Sequence, residues 1–240
     1  MTANYETVGP GTEDSVNNGW SRLRFAEARW QHDGVHVQPV TPDGVVAHVV
    51  ERVLTHDARP VRVLVDGHPS TRPEALADAL VEPLRAAGRP TARVGARDFL
   101  RQRSLRLEHG HRDPDSLLDA WLDVEALNRE VLTSVVRRGR WLPSLRDPAT
   151  GRSTRAGYAE APAGTVVVLD GSLLLGRGLD ADLAVHLALS PATETRNTPL
   201  DEAWTLAAYG RYRREARPER RADVVVRVDH PDRPALLLPA

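Results

Sequence analysis

The chain contains no cysteine. This excludes disulfides, thiolate–zinc sites and cysteine nucleophiles. It has no run of 18 apolar residues, and its first twenty residues have neither a basic start nor an apolar core. It therefore shows no sign of a membrane span or a secretory leader. An excess of charge is missing too: 32 basic residues face 33 acidic ones, for a formal net charge of −1. No global basic field exists to hold a polyanion, so nucleic acid is not expected as a partner, and neither is a membrane. These absences together suit a cytoplasmic protein. The basic residues are arginines, and Ala, Asp, Pro and Val are abundant, as in GC-rich coding sequence. At 240 residues and 41 % hydrophobic, the chain suits one α/β domain with a small appendage.

Residues 1–18 are polar and read as disordered or loosely attached. Trp20, Leu23, Ala26 and Trp30 recur at roughly helical spacing, so residues 1–35 read as an N-terminal arm and 36–240 as the domain. Thr41-Pro42-Asp43 can start a helix with Val45, Val46, Val49, Val50 and Val53 on its apolar face. The run Val61 to Val65, stopped by Asp66-Gly67, reads as a buried central strand. A helix is expected over 73–87 with Gly88 at its C-cap, and a short strand over 91–94. An Arg- and His-crowded loop should fill 100–113, and one helix 114–136. Strands follow at 165–169, 183–189 and 222–228, the last being taken as the closing strand, with helical stretches between them. This alternation is that of an open parallel sheet with helices on both faces, a three-layer α/β fold.

In such sheets ligands sit beyond the carboxyl ends of the strands. That rule selects Asp66-Gly67-His68, Asp98 and Asp170-Gly171, three carboxylates brought to one edge. The alternative is that each caps the element after it.

Four segments in this order resemble the uridine kinase branch of the P-loop kinases, in an actinobacterial form, over about two-thirds of the chain. VRVLVDGHPSTRPEALADAL stands at strand one, phosphate loop and first helix. ARDFL with HGHRDPDSLLDAWLD resembles the family's Asp-Ser-Phe-Tyr and Asp-His-Pro-Asp stretch. LPSLRDPATGRSTR resembles its substrate-binding segment, and VVVLDGSLLL its strand ending in Glu-Gly. The tail ADVVVRVD resembles its closing strand. The resemblance implies a P-loop kinase-like fold and a phosphotransferase acting on a nucleoside or other small hydroxyl-bearing molecule. It also implies Mg2+ with ATP or GTP, and it leaves room for a homo-oligomer.

The phosphate loop departs from the G-x-x-x-x-G-K-[ST] pattern. Counting from Gly67, Arg72 replaces the second glycine, Pro73 the lysine and Glu74 the hydroxyl residue. Arg72 could supply the missing charge, Ser70 and Thr71 a hydroxyl, and His68 a hydrogen bond to phosphate. A pseudokinase, or a pocket turned to other chemistry, stands as the alternative.

By position in the family motifs, Asp98 is implied as the base that takes the acceptor's proton, and Asp170 as a magnesium ligand through water. Asp66 would serve the metal or cap a turn. His109 and His111 invite a metal reading. Without cysteine or a third neighbouring ligand, substrate hydrogen bonding or simple exposure fits them better. Arg152 and Arg155 fall where the family binds substrate, and Arg196 and Arg213 in its lid, where arginines neutralise phosphoryl charge. Trp204, Tyr209 and Tyr212 could stack on a base or pack the lid helix.

Overall fold

The structure, a computed structural model, describes residues 35–57 and 59–239. The N-terminal arm, with its spaced Trp20 and Trp30, lies outside the described residues.

Strand β1 (Val35–Pro39) leads into helix α1 (Pro42–Leu54). Thr41 caps α1, its Oγ1 accepting from Gly44 N at 3.0 Å, and Pro42 occupies the first turn, where no amide is missed. Val45, Val49 and Val53 are buried on one face. Each such side chain contributes roughly 1.5–3 kcal/mol on leaving water. Next come β2 (Val61–Gly67), a 3-10 turn over Pro69–Thr71, α2 (Pro73–Ala86) and β3 (Thr91–Gly95). Gly88 ends α2 in the left-handed region at φ +80°, with Arg89 N donating to Leu84 O.

The helix expected over 114–136 is broken. It is α4 (Pro114–Asp119), preceded by the one-turn α3 (Arg103–Arg106), and then α5 (Val124–Leu127), a π-turn Asn128–Leu132 and α6 (Thr133–Arg138). Residues 120–123 turn aside because Leu122 bridges to Leu100 and Asp123 N donates to Phe99 O at 2.9 Å. Asp123 then caps α5 through Ala126 N. Tertiary pairing outweighs the apolar periodicity that Trp121 and Leu122 continue.

A small ladder of β4 (Arg140–Trp141) and β5 (Ala159–Glu160) precedes β6 (Val166–Gly171) and β7 (Leu183–Ala188). No helix joins β6 to β7, contrary to the expected alternation. The glycine- and aspartate-rich link crosses as turns. Helices α7 (Pro191–Asn197), α8 (Leu206–Glu215) and α9 (Pro218–Arg221) lead to β8 (Val224–Arg227), and the chain closes with β9 (Ala235–Pro239).

The sheet order is β1-β9-β8-β7-β2-β6-β3. The five strands from β8 to β3 are parallel, and β9 and β1 extend that edge by antiparallel pairing. The edge pair β1 and β9 was not expected, and β8 is not the last strand. Alternate residues face two cores. Val63, Val65 and Val168 pack under α1 and α2, while Leu64, Leu169 and Val225 pack under α5, α6 and α8. This is the three-layer α/β arrangement. β2 lies between β6 and β7, so its carboxyl end is a topological switch point. No helix among the described residues is long and apolar enough to cross a membrane.

Candidate functional site

β2 carries Asp66 to the switch point fully buried. Its Oδ1 accepts from Leu174 N at 2.9 Å, and its Oδ2 accepts from Tyr212 OH at 2.9 Å and pairs with His186 Nδ1 at 2.8 Å. Tyr212 OH in turn accepts from Leu175 N at 2.8 Å. Burial and the Asp66 charge push the Tyr212 phenol up, so it stays a donor. The carboxylate thus ties β2 to β7, to α8 and to the turn after β6. Both oxygens face inward, away from any ligand beyond the sheet edge.

The loop after β2 is closed on itself. Gly67 is required there, since a Cβ would meet Thr71 Oγ1 at 2.4 Å and Leu187 Cβ at 3.0 Å. Thr71 N donates to His68 O and Arg72 N to Pro69 O, at 2.8 and 3.0 Å. Ser70 N donates to His68 Nδ1 at 3.2 Å, and Thr71 Oγ1 to His68 O at 2.7 Å. Arg72 takes φ +54° and points outward to Glu74. A phosphate cradle needs these amides free, and here they are spent internally.

His68 is buried. The proton of Thr198 Oγ1 goes to Glu194 O, so His68 Nε2–H must donate to Thr198 Oγ1, leaving Nδ1 as the acceptor. Burial pulls the His68 pKa down, and nearby Arg213 adds to this while Glu194 opposes it. Tyr209 meets the His68 ring edge-on at 4.5 Å, and Arg213 pairs with buried Glu194. The cavity left at the carboxyl ends of β2 and β7 is about 30 Å³, roughly the room of one water molecule. Lysine is absent from the whole chain, so no other segment can supply the missing ammonium. These residues do not fit a nucleoside triphosphate and its magnesium. Among the described residues, no cluster of three His, Asp or Glu side chains could hold a metal.

At the edge formed by β3 and β6, one carboxylate is held by an arginine and the other is left half-buried. Asp170 is buried and held by Arg93 in a two-pronged pair, Nε to Oδ1 at 2.6 Å and the second nitrogen to Oδ2 at 3.0 Å. Arg93 also reaches Asp78 at 3.1 Å. Hydrogen bonding to Asp170 raises the Arg93 pKa, while burial raises that of Asp170 against the pull of Arg93. Asp98 lies three residues past Gly95, the register partner of Asp170. It is half-buried, and among the described residues its carboxylate accepts no hydrogen bond. Burial raises its pKa, Arg97 pulls the other way and Asp170 adds to the rise. Leu145 N and Arg146 N both donate to the Asp98 carbonyl, at 3.2 and 2.9 Å, which docks the 145–155 loop beside the carboxylate. A half-buried, unpartnered carboxylate of this kind can accept a hydroxyl proton.

The structure therefore brings together two sets. Asp66, Gly67, His68, Ser70, Thr71 and Arg213 meet at β2 and β7, while Asp98 and Asp170 meet at β3 and β6. His109, His111, Arg152, Arg155 and Arg196 are exposed, with Arg196 held by Thr193 Oγ1 at 3.1 Å. Tyr209 and Tyr212 pack the core rather than present a stacking face, and Trp204 leans on Trp121 at 5.9 Å. Sequence reasoning missed Arg93, His186, Glu194 and Tyr212 as partners. Only His186 gave a signal, as a lone polar residue inside a buried apolar strand. A larger concavity of about 810 Å³ lies over α1 and α2, lined by Val46, Val50, Leu54, Ala79 and Pro83, with no strand-end residue in its wall.

No family model and no curated protein sequence matches the chain. Solved structures do. A possible uridine kinase from Bacillus stearothermophilus superposes with a TM-score of 0.62 at 19% identity, covering 75% of this chain and 96% of that one. A candidate fructose transport system kinase from Silicibacter superposes with a TM-score of 0.54 at 19% identity, covering 76% and 95%. The fold is that of the P-loop kinases.

Proposed function

We propose that the protein binds a small hydroxyl-bearing molecule, nucleoside-like in kind, at the β3–β6 edge of a kinase-like phosphotransferase scaffold, and that its first loop does not hold a nucleoside triphosphate. The observation that carries this is the inward closure of residues 68–72, where the Ser70, Thr71 and Arg72 amides and the Ser70 and Thr71 hydroxyls are spent on His68 and Pro69. The structural neighbours support the scaffold. Asp98 and the Arg93–Asp170 pair support the ligand edge.

A thermal-shift titration with uridine, ATP and GTP, each with and without Mg2+, tests it. A ligand that binds only the folded state raises the melting temperature by mass action. A rise with uridine or another polyol, and none with the triphosphates, is expected. A magnesium-dependent rise with ATP or GTP would overturn the reading.

One observation favours a catalytic second reading, phosphoryl transfer from ATP or GTP with Mg2+ to the bound hydroxyl: among the described residues Asp98 stands unpartnered, with a raised pKa, as a base requires. The same triphosphate result would move that reading to the front.

A further inference from the structure

The charge of the chain is nearly balanced, yet it is unevenly placed. Residues 97–112 and 146–155 carry eight arginines against three carboxylates, in a chain whose net charge is −1. The fold joins these two segments. Arg146 N donates to Asp98 O at 2.9 Å, and a Cβ on Gly151 would lie 4.0 Å from Arg103 Cβ; within 146–155, Arg146 bridges to Ser153 and Asp147 N donates to Arg152 O at 2.8 Å. The Arg97 charge acts on both Asp98 and Asp147. Arg106 lies 5.1 Å over the Trp121 ring and bonds Arg101 O through Nε, which fixes its guanidinium in place. None of the eight arginines forms an ion pair among the described residues.

A second, independent observation points to a missing acceptor. Among the described residues, Arg146 Nε is buried with no hydrogen-bond partner. A buried guanidinium donor left unmet is costly and rare. Arg146 sits on the Asp98 carbonyl through its own backbone N–H at 2.9 Å, so the residue that carries the orphan donor is docked at the proposed ligand edge.

We infer that this basic mouth takes the phosphate of a phosphate monoester, with the ester's free hydroxyl toward Asp98. The inference rests on the ligand edge proposed above and adds the anionic class of the molecule. The geometry divides the work. Asp98 and Asp170 would repel an anion placed on them, so the charged end must lie outward, among arginines whose planar forks suit phosphate oxygens. The hydroxyl end, which carries no charge, tolerates the carboxylates.

The test is calorimetric titration of the full chain at low and at high salt. The probes are uridine 5′-monophosphate and ribose 5-phosphate, their unphosphorylated counterparts uridine and ribose, inorganic phosphate, and a single-stranded RNA oligomer. The esters should bind at least tenfold more tightly than their counterparts, with the gain shrinking as salt rises. Arg146→Gln should remove that gain. Exposed Arg103→Gln, which leaves the buried seam intact, should reduce it. Equal binding of ester and counterpart would overturn the inference and leave the ligand edge standing. Binding of neither would overturn both. Inorganic phosphate held as tightly as its esters would overturn it in favour of an adventitious ion only, and tighter binding of the RNA would overturn it in favour of a nucleic-acid surface.

Discussion

Replacing Asp66 with Asn separates a structural carboxylate from one that serves a ligand. The amide has the carboxylate's shape but offers one acceptor and one donor. Three donors point at Asp66: Leu174 N–H at one oxygen, and His186 Nδ1–H and Tyr212 O–H at the other. Whichever way the amide turns, its NH2 faces a donor. One or two buried groups are left unmet, each at about 1–3 kcal/mol. Asp66→Asn should therefore lose roughly 1–6 kcal/mol, a large part of the 5–15 kcal/mol that holds a typical domain together. Urea unfolding at neutral pH, followed by tryptophan fluorescence and far-UV circular dichroism, should show a lower midpoint at unchanged slope. Tyr212→Phe strands Leu175 N and should cost about 1–3 kcal/mol. The double variant should lose less than the sum, because both changes break one network. A loss below about 1 kcal/mol for Asp66→Asn, with a change confined to ligand affinity, would refute the hub and return Asp66 to the ligand site.

Two further outcomes follow from the site. Gly67→Ala drives a methyl into Thr71 Oγ1 and Leu187 Cβ and should destabilise by about 1–3 kcal/mol, with Thr71→Ala recovering part of it; thermal melts of the three variants check this. Asp98→Asn concerns a carboxyl whose folded pKa is raised by burial. Between its unfolded and folded pKa values the native state holds the extra proton, so stability falls as pH rises through that window. The variant should therefore melt above the parent at pH 7, and the gap should close as pH drops below the ordinary carboxylate range. A variant that melts lower at pH 7 would mean that Asp98 is held by partners rather than left for a ligand.

Much of the fold was legible because local signals agreed. The Thr41 cap, the valine stripe of α1, the β-branched runs of β2 and β6 and Gly88 after α2 each named their element without help from afar. The misses have physical causes. β1 is a short edge strand and β9 the short strand between it and β8, and neither has a long apolar run to mark it. The break at 120–123 depends on Leu100, more than twenty residues away, and nothing in the local periodicity announces it. At the site, strand-end logic located Asp66, Asp98 and Asp170. Their pairings were invisible because the partners come from far along the chain: His186 is 120 residues from Asp66, Tyr212 is 146, and Arg93 is 77 from Asp170.

The same distant partners explain why stability and donor binding compete at β2. A strand end that holds phosphate keeps its loop amides unpaired and facing outward. Here three of them, from Ser70, Thr71 and Arg72, are paired with His68 and Pro69. An anion entering this loop would have to break those bonds, each with a net worth of about 0.5–1.5 kcal/mol. Opening the loop therefore costs about 2–4 kcal/mol, a factor of roughly 30 to 1,000 in affinity, before the Arg213–Glu194 pair or His68 is moved. No lysine ammonium is available to offset that loss. A ligand at the β3–β6 edge meets no such cost, because among the described residues Asp98 is unpartnered and Arg146 Nε already lacks an acceptor. The difference in opening cost between the two edges, more than the identity of any single residue, is what moves the expected ligand from the first loop to Asp98.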